Sequence, residues 1–206
     1  MRSIRSLSLR AAILAAFAAG MAASPAVAQR STTRGFTIGA HLQAGSLSVE
    51  NEDPAGGGGF GIRAGYGFNR HFTGYFEIDG IVFDVPNPEF GGYWGLAHVD
   101  FGLRYNFANS LHRWVPFLEG ALGVRGVNVE NGRVENNRVG DLNFSGGAAS
   151  LGGGISFFPT QKLAIETLMK FTAGTFDQLR IGNVTFNDQS IDASSFRLKV
   201  GLAWWP

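Results

Sequence analysis

The feature that most constrains this chain is a two-residue rhythm of apolar and polar side chains that begins at Phe36 and returns until Trp204. Neighbouring side chains of a strand point to opposite faces, so the rhythm predicts strands with one apolar and one polar face. Eight runs carry it. The first sets Phe36, Ile38, Ala40 and Leu42 against Thr37, His41 and Gln43, and the second sets Phe60, Ile62, Ala64, Tyr66 and Phe68 against Gly61, Arg63, Gly65 and Gly67. The third opposes Phe76, Ile78 and Val82 to Tyr75, Glu77 and Asp79; the fourth opposes Val99, Phe101, Leu103 and Tyr105 to His98, Asp100 and Arg104. Leu118, Leu122 and Val124 face away from Glu119, Gly123 and Arg125 in the fifth, as do Leu151, Ile155 and Phe157 from Ser150, Gly152 and Ser156 in the glycine-rich sixth. The seventh sets Leu163, Ile165, Met169 and Phe171 against Glu166 and Lys170, and the last sets Phe196, Leu198, Val200, Leu202 and Trp204 against Arg197 and Lys199.

Where the charges fall decides which face is inside. No acid or base lies on the apolar face of any run, while five acids (Glu77, Asp79, Asp100, Glu119, Glu166) and six bases (Arg63, Arg104, Arg125, Lys170, Arg197, Lys199) share the opposite face. Facing lipid at mid-membrane, a lysine or arginine costs roughly 2–4 kcal/mol. A clean apolar face is therefore what a bilayer demands, and a near-balanced set of charges suits a narrow interior in which they pair. Each run is about ten residues, the length of a tilted strand that crosses a membrane. The connections alternate too. Those after runs two, four and six are short (Asn69 and Arg70, Ala108 to Arg113, Pro159 to Gln161), whereas those after one, three, five and seven are longer and rich in Gly, Asn, Asp and Pro. The pattern is that of an eight-stranded antiparallel up-and-down transmembrane β-barrel with short periplasmic turns and long outer loops, expected at 48–57, 84–93, 128–143 and 175–194.

Aromatic residues reinforce the assignment, because such rings settle where hydrocarbon meets headgroups. Tyr66, Phe68, Phe72, Tyr105, Phe107, Trp114, Phe157 and Trp204 collect near the short turns and form the expected periplasmic girdle, with Phe83, Tyr93, Trp94 and Phe171 at the opposite interface. A soluble lipocalin-like barrel also alternates, but with apolar faces inward and charges outward. Strand length, girdles and loop asymmetry favour the membrane arrangement.

The first residues supply a route to that membrane. Arg2, Arg5 and Arg10 precede an apolar stretch from Ala11 to Met21, and Ala26, Val27 and Ala28 follow as an Ala-x-Ala site. This order reads as a cleavable secretory signal peptide over 1–28, leaving 29–206 as the barrel domain. Its removal takes three arginines and no acid, so the formal net charge moves from +1 to −2 and gives no reason to expect a nucleic-acid partner. Cysteine is absent, which excludes disulfides, thiolate metal sites and a lipoprotein anchor.

Four phrases carry a family resemblance: Phe60-Gly-Ile-Arg-Ala-Gly-Tyr-Gly-Phe-Asn, Pro116-Phe-Leu-Glu-Gly-Ala-Leu-Gly-Val, Leu151-Gly-Gly-Gly-Ile-Ser-Phe-Phe-Pro and Phe196-Arg-Leu-Lys-Val-Gly-Leu-Ala-Trp-Trp. Over about Gly35 to Trp205 the chain resembles the small eight-stranded outer-membrane barrels, the OmpA-like, OmpW-like and opacity-type porin-like group. The resemblance implies the bacterial outer membrane as location, contact with outer-membrane lipid and lipopolysaccharide, assembly by the barrel-assembly machinery, and a structural or surface-recognition role for the outer loops. It also implies an alternative, a narrow passage for small apolar molecules in the OmpW-like manner. These barrels typically end in an aromatic residue, whereas this chain ends Trp204, Trp205, Pro206.

No catalytic, cofactor or metal site is expected. Some related barrels modify lipid A with a His-x-Ser pair on the lipid side, but no His-x-Ser occurs here; His41 and His98 belong to the charged face, and His71 and His112 fall at the short turns. The glycines 56–59 precede no helix and read as a flexible surface loop. Glu50, Glu52 and Asp53 match no calcium-loop spacing and read as solvated acids, and the repeated Val129-Glu-Asn-Gly-Arg and Val134-Glu-Asn-Asn-Arg read as loop extension. An eight-stranded barrel is just wide enough for side chains to fill it, so the eleven inward charges are expected to form a structural ion-pair network.

Overall fold

A computed structural model describes residues 33–49, 54–83, 94–107, 113–134, 137–181 and 184–206, and it is built of strands. They are β1 (Gly35–Val49), β2 (Ala55–Gly67), β3 (Phe72–Phe83), β4 (Trp94–Asn106), β5 (Trp114–Val134), β6 (Asn137–Phe157), β7 (Leu163–Ile181) and β8 (Val184–Trp204). Each pairs antiparallel with its sequence neighbours, and β8 returns to β1 to close the barrel. Closure leaves no sheet edge within the hydrocarbon, which satisfies every ladder hydrogen bond where no water is available. The expected signal peptide and its cleavage after Ala28 lie outside the described residues.

The alternation sorts the side chains as the charge argument requires. Phe36, Leu42, Phe60, Phe101, Leu122 and Leu151 are among the most exposed residues, at 65–73%, and all project from the outer wall. Their inward neighbours are buried even where charged: Arg197 and Lys170 retain 0–1% exposure. On β8 the outward band runs from Phe196 to Trp204. Eight residue steps at about 3.3 Å, tilted by about 40°, span roughly 20 Å, close to the apolar band of a membrane barrel.

Three expectations need correction. The segments 128–143 and 175–194 are not loops but the upper parts of two hairpins: β5 and β6 pair up to Val134↔Asn137, and β7 and β8 up to Ile181↔Val184. The ladders continue while the apolar contrast ends, because the outward residues there, such as Asn128, Asn143, Thr175, Asp177 and Asp192, no longer face lipid. The glycines 56–59 are likewise not a loop; they belong to β2 and pair with Ser46 to Gln43 of β1. A Cβ on Gly59 would stand 1.8 Å from the Gly80 carbonyl oxygen, and one on Gly57 2.2 Å from that of Val82. Only glycine lets β2 approach β3 so closely. Finally, Phe83 points into the lumen with 1% exposure rather than joining an outer girdle, and Trp94 packs beside it, partly buried. Tyr93, the acids at 50–53 and the expected loop at 84–93 lie outside the described residues.

Candidate functional site: the charged lumen

Six strands project the eleven charged side chains inward, and ten of them join through shared partners. Glu119 of β5 accepts from Arg63 of β2, at 2.9 Å from both Nη1 and Nη2, and from Arg104 Nε of β4 at 3.1 Å. Arg104 then forks onto Glu166 of β7 at 2.7 and 3.2 Å. Arg63 also bonds Glu77 of β3, through Nε at 2.8 Å and through Nη2. Glu77 Oε1 in turn accepts from Lys170 Nζ at 2.6 Å and from Lys199 Nζ at 2.8 Å. Lys170 reaches Asp100 at 3.2 Å, Lys199 reaches Asp79 at 2.6 Å, and Arg197 Nη1 contacts both Asp79 oxygens at 2.7–2.9 Å.

The grouping of Arg63, Glu77, Asp79, Asp100 and Arg104 on β2 to β4 is thus mostly indirect. Arg63 and Glu77 bond each other, while the other members are linked through Glu119, Lys170 and Lys199. Each of the five lumenal acids has a basic partner, which a buried carboxylate in a low-dielectric interior requires.

Arg125 is the exception. Its Nη2 donates to the carbonyl oxygens of Gly174 (2.5 Å) and Ala193 (2.8 Å), and its guanidinium lies over the Phe176 ring, 4.5 Å from the centroid. Among the described residues no acid pairs with it.

Several contributors escaped the sequence reading. Tyr75 donates to Glu119 at 3.1 Å and its ring lies under Arg63 at 4.2 Å; Gln43 brings β1 in by donating to Asp79 at 3.1 Å; Ser156 brings β6 in by donating to Glu166 at 2.8 Å. All three had inward parity, but an uncharged polar residue on a polar face carries no sign that it has a partner. With them, all eight strands are fastened to one network.

Two apolar layers bracket it. Toward the outer rim Leu47, Ile81, Phe83, Leu96, Val127, Phe176 and Ala193 form a buried cluster, and toward the short turns Val115, Phe158, Ala164, Ala203 and Trp205 form another. Between them a cavity of about 40 Å³ is bordered by His41, Arg63, Tyr75, Glu77, Glu166 and Lys199. That is room for a few water molecules.

The donor atoms of His41, Glu77 and Asp79 lie within 4.8 Å of one another, the one such grouping among the described residues that a metal ion could use. Lys199 already holds an ammonium against both carboxylates, so the local demand for a cation is met. His98 is fully buried with Nδ1 3.4 Å from Asp79, and His71 stacks on Tyr105 at a turn. His41 and His98 thus face the lumen, away from any lipid ester; His112 lies outside the described residues.

The outer wall holds the aromatic residues singled out from the sequence. Tyr66, Phe68, Tyr105, Phe107, Trp114 and Trp204 are 39–59% exposed and Phe157 is half-buried. Tyr66 meets Phe36 and Phe68 edge-on at 5.2 and 5.6 Å, Tyr105 meets Phe72 and Phe107 at 5.2 and 5.0 Å, and Trp114 packs on Phe157 at 4.4 Å.

Comparison with known proteins agrees with this architecture. Among solved structures, the Neisserial surface protein A superposes with a TM-score of 0.62 at 15% identity, covering 82% of this chain and 96% of that one. Ail, the attachment invasion locus protein of Yersinia pestis, gives 0.53 at 11% identity over 84% of this chain and 100% of that one. A second Ail structure, in complex with the heparin analogue sucrose octasulfate, gives 0.54 at 12% identity over the same shares. No curated protein matches. The profile of the outer membrane protein beta-barrel domain matches residues 12–203, nearly the whole sequence, and on that span the chain belongs to this family of the bacterial outer membrane.

Proposed function

We propose that the protein is a non-enzymatic, non-conducting outer-membrane barrel whose rigid wall holds the β5–β6 and β7–β8 hairpins outside the cell as a recognition surface. The observation that carries this reading is the lumen: an ion-pair layer that engages all five lumenal acids lies between two apolar clusters, while half the strands continue past the rim. A barrel of eight strands has little interior to spare, and here both ends of it are filled with hydrocarbon side chains. Binding surfaces carried on a rigid scaffold lose little conformational freedom when they engage a partner. Under this reading lipopolysaccharide and outer-membrane lipid contact the apolar band, and the barrel-assembly machinery engages the terminal strand.

Planar-bilayer recording of the refolded barrel tests it. Well-folded protein is expected to remain electrically silent, and solute-dependent conductance would replace this reading with that of a narrow passage for small apolar molecules. Surface display is checked by trypsin added to intact cells. Cleavage after Arg133, Arg138 or Arg180 is expected without permeabilisation, with the barrel left protected.

A further inference from the structure

Along the sequence, the connections that adjoin the two ends of the strands carry opposite charge. The segments next to the short-turn ends, 29–34, 68–71, 107–113 and 158–162, contain Arg30, Arg34, Arg70, Arg113 and Lys162 and not one acid. Of the 16 acids in the chain, five line the lumen, and the other eleven fall in the four connections and hairpins on the opposite side, between 50 and 53, 84 and 89, 130 and 141, and 177 and 192. Only Arg133, Arg138 and Arg180 accompany those eleven.

The fold spreads the bases evenly around the periplasmic rim. Arg34 enters β1, Arg70 turns β2 into β3, Arg113 leads into β5 and Lys162 leads into β7, so every second strand contributes one. Arg34, Arg70 and Lys162 are exposed and Arg113 is partly so. Among the described residues none of the four side chains has a hydrogen-bond or ion-pair partner, while all five lumenal acids are already engaged. Directly above them stands the aromatic girdle: Trp114 follows Arg113, Phe68 and Phe72 flank Arg70, and Trp204 pairs with Leu163, next to Lys162. Such rings sit at headgroup depth. The ring of bases therefore lies where lipid phosphates are found.

We propose that this ring is a docking surface for anionic phospholipid headgroups in the periplasmic leaflet. An acidic periplasmic protein would meet the same charges, but the girdle fixes the bases at the membrane surface and distributes them around the whole circumference, a layout that fits many small headgroups rather than one macromolecule.

The test uses the full mature barrel in bilayers containing equal fractions of chain-brominated phosphatidylglycerol or phosphatidylcholine, read by quenching of tryptophan fluorescence, to which the outward Trp114 and Trp204 contribute at this rim. A base close to an anionic membrane surface favours a headgroup charge by about fivefold. The relative association constant is expected to favour phosphatidylglycerol several-fold, and to fall toward one in about 1 M salt, where screening acts within ~3 Å. Substituting Arg34→Gln, Arg70→Gln, Arg113→Gln and Lys162→Gln together should remove the preference, with heat-modifiable gel mobility confirming the fold. Asp177→Asn with Asp192→Asn at the other rim should leave it intact. Each single turn substitution should remove part of it, which keeps the proposal testable if the fourfold variant fails to assemble. Equal quenching by the two lipids, or a preference that survives the fourfold substitution, overturns the proposal. Competition by inorganic phosphate at constant ionic strength would assign the ring to the free anion and overturn it equally.

Discussion

Strands β1 to β4 are 12–15 residues long and stop near the rims, whereas β5 to β8 are 19–21 residues long. Above Trp94↔Val129 on one side and Val49↔Ala193 on the other, β5 and β8 lose their outer neighbours and continue only within their own hairpins and the short β6–β7 ladder at Leu142↔Ile181. The same four strands thus live in two solvents. In the membrane their outer face must be hydrocarbon and their inner face must pair its charges; above it neither demand applies. The lower barrel is consequently held by paired charges, the upper hairpins by backbone ladder and, at their base, by the packing of Phe144 and Ile191 on Phe176, and substitutions should separate the two regions.

The largest separation is expected at Glu77, which receives Arg63, Lys170 and Lys199 at once. Glu77→Ala would leave buried cations without a shared acceptor, and breaking a buried pair from one side costs about 3–5 kcal/mol. Urea unfolding in lipid vesicles should show that loss, or the variant should fail to acquire heat-modifiable mobility. A loss no larger than that of an exposed substitution would mean that water, not the ion pairs, supports the lumen.

A charge on the outer wall is the next probe. Val200 projects outward at mid-band, and Thr175 projects outward on the part of β7 that has left the band. Val200→Arg is expected to cost about 2–4 kcal/mol in lipid, and Thr175→Arg no more than about 0.5 kcal/mol. Equal costs would show that the bilayer reaches higher than the apolar band indicates.

These contrasts also explain what could be read from the chain. Eight strands, their facing and the lumenal position of charges such as Arg197 and Lys199 follow from alternation and charge placement, because the bilayer punishes any exception. The upper hairpins were illegible for the converse reason: at Asp177 and Gln178 successive side chains are both exposed, so a paired ladder and a loop leave the same composition. Gly57 and Gly59 misled because a run of glycines marks a close backbone approach as readily as a flexible turn, and only the neighbouring strand tells which. Within the site, ionic members were visible and their pairing was not. Arg63 reaches Glu119, 56 residues on, because it lies across the lumen, and no spacing along the chain encodes that. Phe83 and Leu96 fill the lumen as apolar residues on a polar face, which happens where the interior leaves its ion-pair layer and closes.

The smallest effect is expected where the two regions part. Replacing residues 179–186 by Asn-Gly would rejoin the hairpin just above the Gln178↔Asn187 pair with a turn suited to a two-residue connection. The removed ladder lies above the paired barrel and takes no part in the lumenal network, so its loss should scarcely alter the free energy of the rest. Shortening a closed loop changes its entropy by only about 0.6 kcal/mol per twofold change in length. The unfolding midpoint should accordingly stay within about 1 kcal/mol of the parent, while the Arg180 cleavage site disappears from intact cells. A shift as large as that of Glu77→Ala would show that the projecting strands hold the rim closed, and the division into a self-sufficient barrel and dependent hairpins would fail.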